Sequence, residues 1–552
     1  MQRVHLPAAM AALALTAGLS VAANAADGLT GHVSSQQEGP MEGVVVSARR
    51  DGATVTTSVV TDKKGAFAFP ADRLVPGRYT LSARAVGFEL SKPSVANVSA
   101  NTSETTDLRL EPTKDLTAQL TNAEWLNSVP GTDEQKKFLL NCNSCHSLER
   151  IVKSKYDADG FLGTFDRMSG YYPGSTPEHP QPLTGTARRE GLARDGDARK
   201  TAEWLASINL SKQDTWSYPL KTLPRTTDKS NRVIITEYDL PNKAIQPHDV
   251  VLDQAGTVWY SDFGQMYLGR MDPKSGEVTQ FPIPETKTGF PVGTLDLETD
   301  QKDNLWIGVM YQGSIARFDR TTGAFRQWSI PKEWDSDAGQ LGHLATTATH
   351  VDNKVWIKNS DGNNIYRLDL STDKIESLGS FKDPATGRRI GSYGIHSDSA
   401  NNLYLLDYSA GNIGRIDAKT KAFTVYVTPT PRSRPRRGRV DAQDRLWFAE
   451  YGADGVGMLD PVSGKITEWK IPTKWSAPYD AMASQNGNAW AGSMLTDRVA
   501  RINTKTGEVV EYPLPRSTNI RRVFVDDRRP SDTLWVGNNH GASIIKVEPL
   551  PD

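Results

Sequence analysis

The sequence predicts a mainly β protein: a seven-bladed β-propeller preceded by a small β-sandwich and a short helical segment. Three observations carry this. A unit of about 45 residues recurs seven times across 230–549, each copy with an aromatic residue in a short apolar run: Trp259, Trp306, Trp356, Tyr404, Trp447, Trp490 and Trp535. Residues 27–112 alternate apolar and polar side chains in short runs broken by Gly and Pro. Residues 113–215 carry helical spacing on both sides of the only two cysteines in the chain.

In chain order, residues 1–25 read as a secretory signal. Arg3 supplies the positive charge, Pro7 to Ala22 the apolar run, and Ala23-Asn24-Ala25 the small residues for cleavage. Residue 26 is Ala, which does not suit a lipid anchor, and no later apolar run reaches the roughly 18 residues of a membrane span. Export is therefore expected, without a membrane anchor. In 27–112, strands are expected at Gly43 to Ala48, Thr54 to Thr61, Ala66 to Phe69, Arg78 to Ala85 and Glu104 to Leu110. Turns are expected at Asp62 to Gly65 and at Val75-Pro76-Gly77. The order Gly31-x-Val33, Gly43-Val44-Val45-Val46, Thr61-Asp62-x-x-Gly65-x-Phe67 and Pro76-Gly77-x-Tyr79-x-Leu81 resembles the carboxypeptidase regulatory-like domain, which implies a transthyretin-like β-sandwich. No titratable cluster there points to chemistry, so a spacer or docking role is expected.

Within 113–215, Cys142-Asn143-Ser144-Cys145-His146 places two thiols three residues apart with an imidazole next to the second. Such thiols can add across two vinyl groups of a haem while the imidazole reaches the iron, the attachment signal of a c-type haem. A disulfide or thioredoxin-like redox pair is the alternative. Half a zinc site is another, but a structural zinc site needs four ligands and there is no second cysteine pair. A helix over Glu134 to Leu140, capped by Asp133, should lead into the motif, and Ala198 to Ile208 should form a last helix. That arrangement, with Ala202-Glu203-Trp204-Leu205-Ala206-Ser207 in the final helix, resembles a small cytochrome c domain. The sixth iron ligand is expected to be Met168, with His179 or an open position as alternatives. Covalent haem is assembled outside the cytoplasm, which agrees with the signal and points to the periplasm.

In 230–549 four short strands per unit and seven units give the propeller. Ile234 to Leu240 looks like the last strand of a blade, and the unit around Trp535 lacks one, so the two should pair and close the ring. Pro247-His248-Asp249-Val250, Gly256-x-Val258-Trp259-Tyr260-Ser261-Asp262 and Gly269-Arg270 resemble the virginiamycin B lyase (streptogramin lyase) family. That resemblance implies elimination chemistry with magnesium and a catalytic histidine at the channel mouth. Of the residues it implies, Glu450 is present in Trp447-Phe448-Ala449-Glu450, while the two histidine positions hold Tyr393 and Arg436 and a second acidic position holds Arg434. Arginine neither binds magnesium nor accepts a proton.

Aligning the blades on their aromatic residue brings His248, Tyr393, Arg436, Tyr479 and Arg521 to one end of the axis. Asp262, Asn359, Asp407, Glu450 and Asn538 follow the aromatic strands, with Tyr408, Tyr451 and His540 beside them and His343 and His396 close by. Such residues also tie propeller loops together. The cluster Arg432, Arg434, Arg436, Arg437 and Arg439 reads as a solvated basic loop or as a clamp for an anion. His248, Tyr393, Arg436 and Glu450 are the expected catalytic set. Cys142, Cys145, His146 and Met168 are the expected haem set. With 64 Lys and Arg against 65 Asp and Glu, nothing draws the chain to nucleic acid. The expected function is a periplasmic haem c oxidoreductase acting on a small organic substrate with a periplasmic redox partner. A metal-dependent C–O lyase and a non-catalytic binding or electron-relay module are the alternatives.

Overall fold

The computed structural model describes residues 27–100, 102–187 and 198–551. The expected signal at 1–25 lies outside them. Six four-stranded antiparallel sheets follow one another from Pro247 to Pro513, each running in chain order from an inner to an outer strand. The seventh takes its three inner strands from the C-terminus and its outer strand, Val233–Asp239, from the start of the ring; that strand pairs antiparallel with Ser543–Pro549. The first strands of adjacent blades touch all the way round, including Pro247–Leu252 against Ile520–Asp526. Closure by the displaced strand leaves no open seam between first and last blade.

The repeated aromatic residue has a structural reason. In three blades the indole donates to an Asp in the turn before its own strand, Trp259 to Asp253 (3.0 Å), Trp306 to Asp300 (3.0 Å) and Trp447 to Asp441 (2.8 Å), while Trp356 reaches the Asn401 carbonyl (2.9 Å) and Trp490 reaches Asp532 (2.9 Å) in the next blade. In these five blades the ring fills the space between blades without stranding its N–H; Trp535 Nε1 is buried with no partner among the described residues.

Each inner strand also shares an irregularity. Pairing slips between Pro247 and Val250, Thr294 and Leu297, Leu341 and His343, Ser392 and Ile395, Pro435 and Gly438, Pro478 and Ala481, and Ile520 and Val523. A bulge re-aims the side chains it frees from the ladder. Repeated seven times at the same level, it turns those side chains into the axis.

The N-terminal sandwich contains strands Val45–Arg50, Val55–Val60, Ala66–Pro70 and Gly77–Arg84 near the expected positions. The expected strand Glu104 to Leu110 divides into Glu104–Thr105 and Leu108–Pro112, which pair parallel with successive stretches of Asp27–Ser35 in one register, Leu29 with Glu104 and Val33 with Leu108. Its Val55–Val60 strand pairs with Val233–Asp239, so one eight-stranded sheet runs from blade 7 into the sandwich. The sandwich is thus joined to the ring by a shared ladder, and ion pairs Arg49–Asp239 (2.6 Å), Arg73–Glu548 (3.0 Å) and Arg84–Asp497 (2.6 Å) fasten it.

Between them lies a helical segment: Asn122–Ser128, Asp133–Lys137, Glu149–Val152, Ala158–Ser169 and Ala198–Ile208. The last helix lies where its spacing places it. The helix before the cysteines differs from expectation. Thr132, not Asp133, is the cap, since Thr132 and Gln135 form a reciprocal capping box and Asp133 turns outward to Lys474. The helix stops at Lys137, and Phe138–Ser144 continues as a tighter 3-10 turn. Among the described residues no helix is long and apolar enough to cross a membrane.

Candidate functional site

The bulged residues form two layers along the axis. The deeper one is an ion network sealed from solvent. Asp249 accepts from Arg437 (2.8 Å), Arg522 (2.7 Å) and the Leu297 amide (3.0 Å). Arg522 also reaches Glu298 (2.5 Å) and Asp480 (3.3 Å), Arg439 reaches Glu298 (3.0 Å), and Arg437 bonds Asp296. Every guanidinium of this layer has a carboxylate. Burial opposes charge on Asp249, but Arg437 and Arg522 outweigh it and hold its carboxyl well below the usual range. The axis is therefore closed by salt bridges at this depth and is not an open channel.

The upper layer holds a directed chain of hydrogen bonds. His248 Nδ1 lies 2.6 Å from Asp249 Oδ1, and an ionised carboxylate can only accept, so the proton sits on Nδ1. Nε2 then accepts from the Tyr479 hydroxyl at 2.9 Å. The Tyr479 oxygen in turn accepts from the Tyr393 hydroxyl. The order phenol–imidazole–carboxylate matches the logic of a hydroxyl–histidine–aspartate triad. Burial lowers His248 to about 3 despite the pull of Asp249, so the imidazole rests neutral. Tyr393 is half-buried while Tyr479, His248 and Asp249 are fully enclosed, so Tyr393 is the outward end of the chain. Burial, with Tyr479 beside it, pushes its phenol up.

Beside this relay Arg436 lies among four tyrosine rings. Its guanidinium carbon is 4.1 Å from the Tyr479 ring centre, 4.5 Å from Tyr451, 4.8 Å from Tyr393 and 5.1 Å from Tyr408. Each such contact contributes about 0.5–2 kcal/mol. Arg434 stacks on Tyr408 at 4.1 Å, and Arg521 stands over Tyr479 at 5.4 Å.

The cysteine motif forms the roof of this layer. Arg521 Nη2 donates to the Ser144 carbonyl at 2.7 Å, His540 Nε2 to the same oxygen at 3.2 Å, and Asn519 to the Asn143 carbonyl at 3.2 Å. Tyr451 reaches the Leu140 carbonyl, and Cys142 packs into one apolar cluster with Tyr393, Tyr408, Tyr451 and Tyr479. At blades 1 and 2 Gln246 holds Gly174 (2.9 Å), Tyr311 holds Pro173 (2.9 Å), and Gln181 exchanges two bonds with Val292 (2.8 and 3.0 Å). The helical segment thus spans the mouth.

The motif fits a c-type haem. Cys142, Cys145 and His146 are half-buried, and no disulfide joins the two sulfurs. His146 Nδ1 donates to the Ser147 carbonyl at 2.9 Å, which leaves the Nε2 lone pair for a metal. A thioredoxin-like pair needs a lowered thiol pKa, whereas burial, and Cys145 after it, push Cys142 up to about 12. Met168 shares a face of Ala158–Ser169 with buried Phe161 and Phe165 and is itself half-buried. His179 sits in a turn closed by Thr176, and its Nδ1 is buried with no partner.

Of the expected catalytic set, His248, Tyr393 and Arg436 come together and Glu450 does not. Glu450 faces Glu468 and Ser433 at the edge of blade 5; burial, then Glu468, raise it to about 8. The other residues that follow the aromatic strands also tie loops. Asp262 accepts from the amides of Gln246 and Gly264 (both 3.0 Å), and Asp407 from those of Gly391 (3.0 Å) and Ser409 (3.2 Å), at matching positions. Magnesium does not fit the mouth: its nearest carboxylate, Asp249, is consumed by two arginines and an imidazole. Among the described residues no three His, Cys, Asp or Glu are grouped to hold a metal ion. Sequence reasoning missed Asp249 as the relay's terminus and Arg522 as the hub below it. The signal was present as a second polar residue in each bulge: His248-Asp249, Arg436-Arg437, Tyr479-Asp480 and Arg521-Arg522.

Comparison with known proteins gives two family matches: the virginiamycin B lyase family over residues 381–550 and the carboxypeptidase regulatory-like domain over 28–111. No curated protein matches the chain. Similar solved structures include virginiamycin B lyase from Staphylococcus aureus, 22% identical, covering 58% of this chain and 100% of that one with a TM-score of 0.49. A streptogramin B lyase is 20% identical, covering 58% and 99%, also with a TM-score of 0.49.

Proposed function

We propose that the chain is a periplasmic c-type haem oxidoreductase. In this reading the cysteine segment carries the haem over the propeller mouth, and a small aromatic or anionic substrate reacts beside Tyr393. One observation carries the proposal: the Ser144 carbonyl, inside the haem-attachment motif, is held by Arg521 and His540 directly above the Tyr393–Tyr479–His248–Asp249 chain. Cys142 and Cys145 would hold the porphyrin and His146 the iron, with Met168 as the sixth ligand and His179 its rival. The haem supplies one-electron chemistry that side chains lack.

The residues of the mouth handle the proton. Were Tyr479 to give one electron to a ferric haem held above it, its phenol would become a strong acid, and its hydroxyl already points at His248. The proton passes to Nε2, and Asp249 stabilises the imidazolium. Tyr393 extends this path to the half-open face. An imidazole lowered to about 3 is poorly matched to abstract a proton from an ordinary carbon acid near neutral pH, but it suits a phenol made acidic by oxidation.

The family match over 381–550 favours a second reading, a lyase acting at the same mouth, with the haem segment serving separately. The two separate cleanly in the full-length protein made with haem-attachment machinery. The first reading expects one covalent porphyrin by intact mass and reduction of the haem band by the substrate, with the added mass lost when Cys142 and Cys145 are both replaced by Ala and the reduction lost in His146→Ala. Tyr479→Phe should keep the haem and slow its reduction on the order of 10²-fold. Absence of the porphyrin sinks the first reading. Cleavage of quinupristin that survives His146→Ala selects the second.

A further inference from the structure

We propose that Arg436 is the docking point for a carboxylate presented to the mouth from the roof side. The inference rests on the mouth being the ligand site. Its starting point is an imbalance between the two axial layers. Below, Arg437, Arg439 and Arg522 share Asp249, Asp296, Glu298 and Asp480. Above, Arg434, Arg436 and Arg521 have no carboxylate among the described residues. Arg521 gives its donors to Asn519 and to the Ser144 carbonyl, and Arg434 to the Tyr408 carbonyl.

Arg436 is the one left over. It is 5% exposed, and among the described residues its Nε has no partner and its only side-chain hydrogen bond runs from Nη1 to the Met494 thioether at 3.4 Å. The tyrosine faces balance its charge but cannot accept its N–H groups, which lie in the guanidinium plane. A carboxylate matches that planar fork with two parallel bonds. Neighbouring ring walls suit a carboxylate borne on an aromatic or porphyrin frame. Asp249 cannot serve, since its oxygens already accept four donors. The same chemistry has two sources, a propionate of a haem held at Cys142 and Cys145 or the carboxylate of a free aromatic acid.

The test compares haem-loaded wild type, Arg436→Gln and Arg436→Lys. One arm measures the haem midpoint potential with no added carboxylate, and the other titrates benzoate by calorimetry. A propionate partner predicts a lower potential in Arg436→Gln, because removing a cation disfavours the reduced form. A free acid predicts benzoate binding at least tenfold weaker in Arg436→Gln with the potential unmoved. Arg436→Lys, which keeps the charge and loses the fork, should fall between and serves if the glutamine variant does not fold. Indifference of both readouts to the substitutions, in protein melting like wild type, overturns the proposal. A chain without covalent porphyrin fails the oxidoreductase reading alone, and the benzoate arm then decides this one.

Discussion

Glu450 shows how a side chain can satisfy a motif and still stand apart from the chemistry. It ends the second strand of blade 5, in register with Asp262 and Asp407, yet it faces Glu468 across a buried gap. Burial and that neighbour raise its pKa to about 8, above the usual carboxylate value near 4.5. A raised folded pKa gives stability that is present below the unfolded value and lost as pH rises through the folded one. Glu450→Gln should therefore melt higher than wild type above pH 8 and alike near pH 4, by calorimetry across that range; equal melting at every pH would mean the carboxyl is not strained. Tyr479 is the converse case. Its position at the mouth follows from blade alignment alone, but its two bonding partners come from blades 1 and 4.

At the scale of the element, the repeated bulge decides which residues face the axis. The blade aromatic recurs once per unit, and in blades 1, 2 and 5 its Asp partner lies six residues earlier in the same hairpin, so the recurrence is visible in the sequence as a period. A bulge is a slip in pairing between two strands, and no residue type marks it in all seven blades. Gly438 closes the bulge of blade 5, where a Cβ would lie 2.0 Å from the Trp447 carbonyl. Backbone cannot yield as a side chain tip does, so Gly438→Ala should cost about 1–3 kcal/mol and shift Arg436 and Arg437. Thermal unfolding checks the first, and an unchanged melting point would show that the bulge tolerates a side chain. The same local logic explains the cap: Thr132 and Gln135 obey the capping-box spacing that Asp133, one residue on, does not.

Across the whole molecule, the axis gathers charges from five blades into one sealed layer. Asp249 and Glu298 are held low by arginines that outweigh burial, while burial lowers His248 to about 3 and His396 to about 4. At these four groups the unfolded chain takes up protons before the folded one does, while Asp480, which burial raises, works the other way. Stability should thus be lost as pH falls from the ordinary histidine value near 6.5 towards 3, as the linkage relation requires. Denaturant titrations between these limits would show the decline, and a flat profile would mean that the layer is hydrated. The sandwich enters at this scale too, since its ladder with Val233–Asp239 buries the outer edge of the blade that closes the ring.

Sequence alone determined what is local or periodic: seven β units, the displaced strand that completes the last, the sandwich pattern, the paired cysteines with their histidine, and a polar mouth. Only the tertiary structure decided which of those polar groups meet. Arg436 and Arg437 are neighbours in the chain, yet Arg437 joins Asp249 and Asp296 while Arg436 faces four aromatic rings with no carboxylate among the described residues. Ser144 lies 377 residues from Arg521 and 396 from His540. Closing the ring is what brings such distant positions within bonding distance, and that closure depends on the packing of all the blades together.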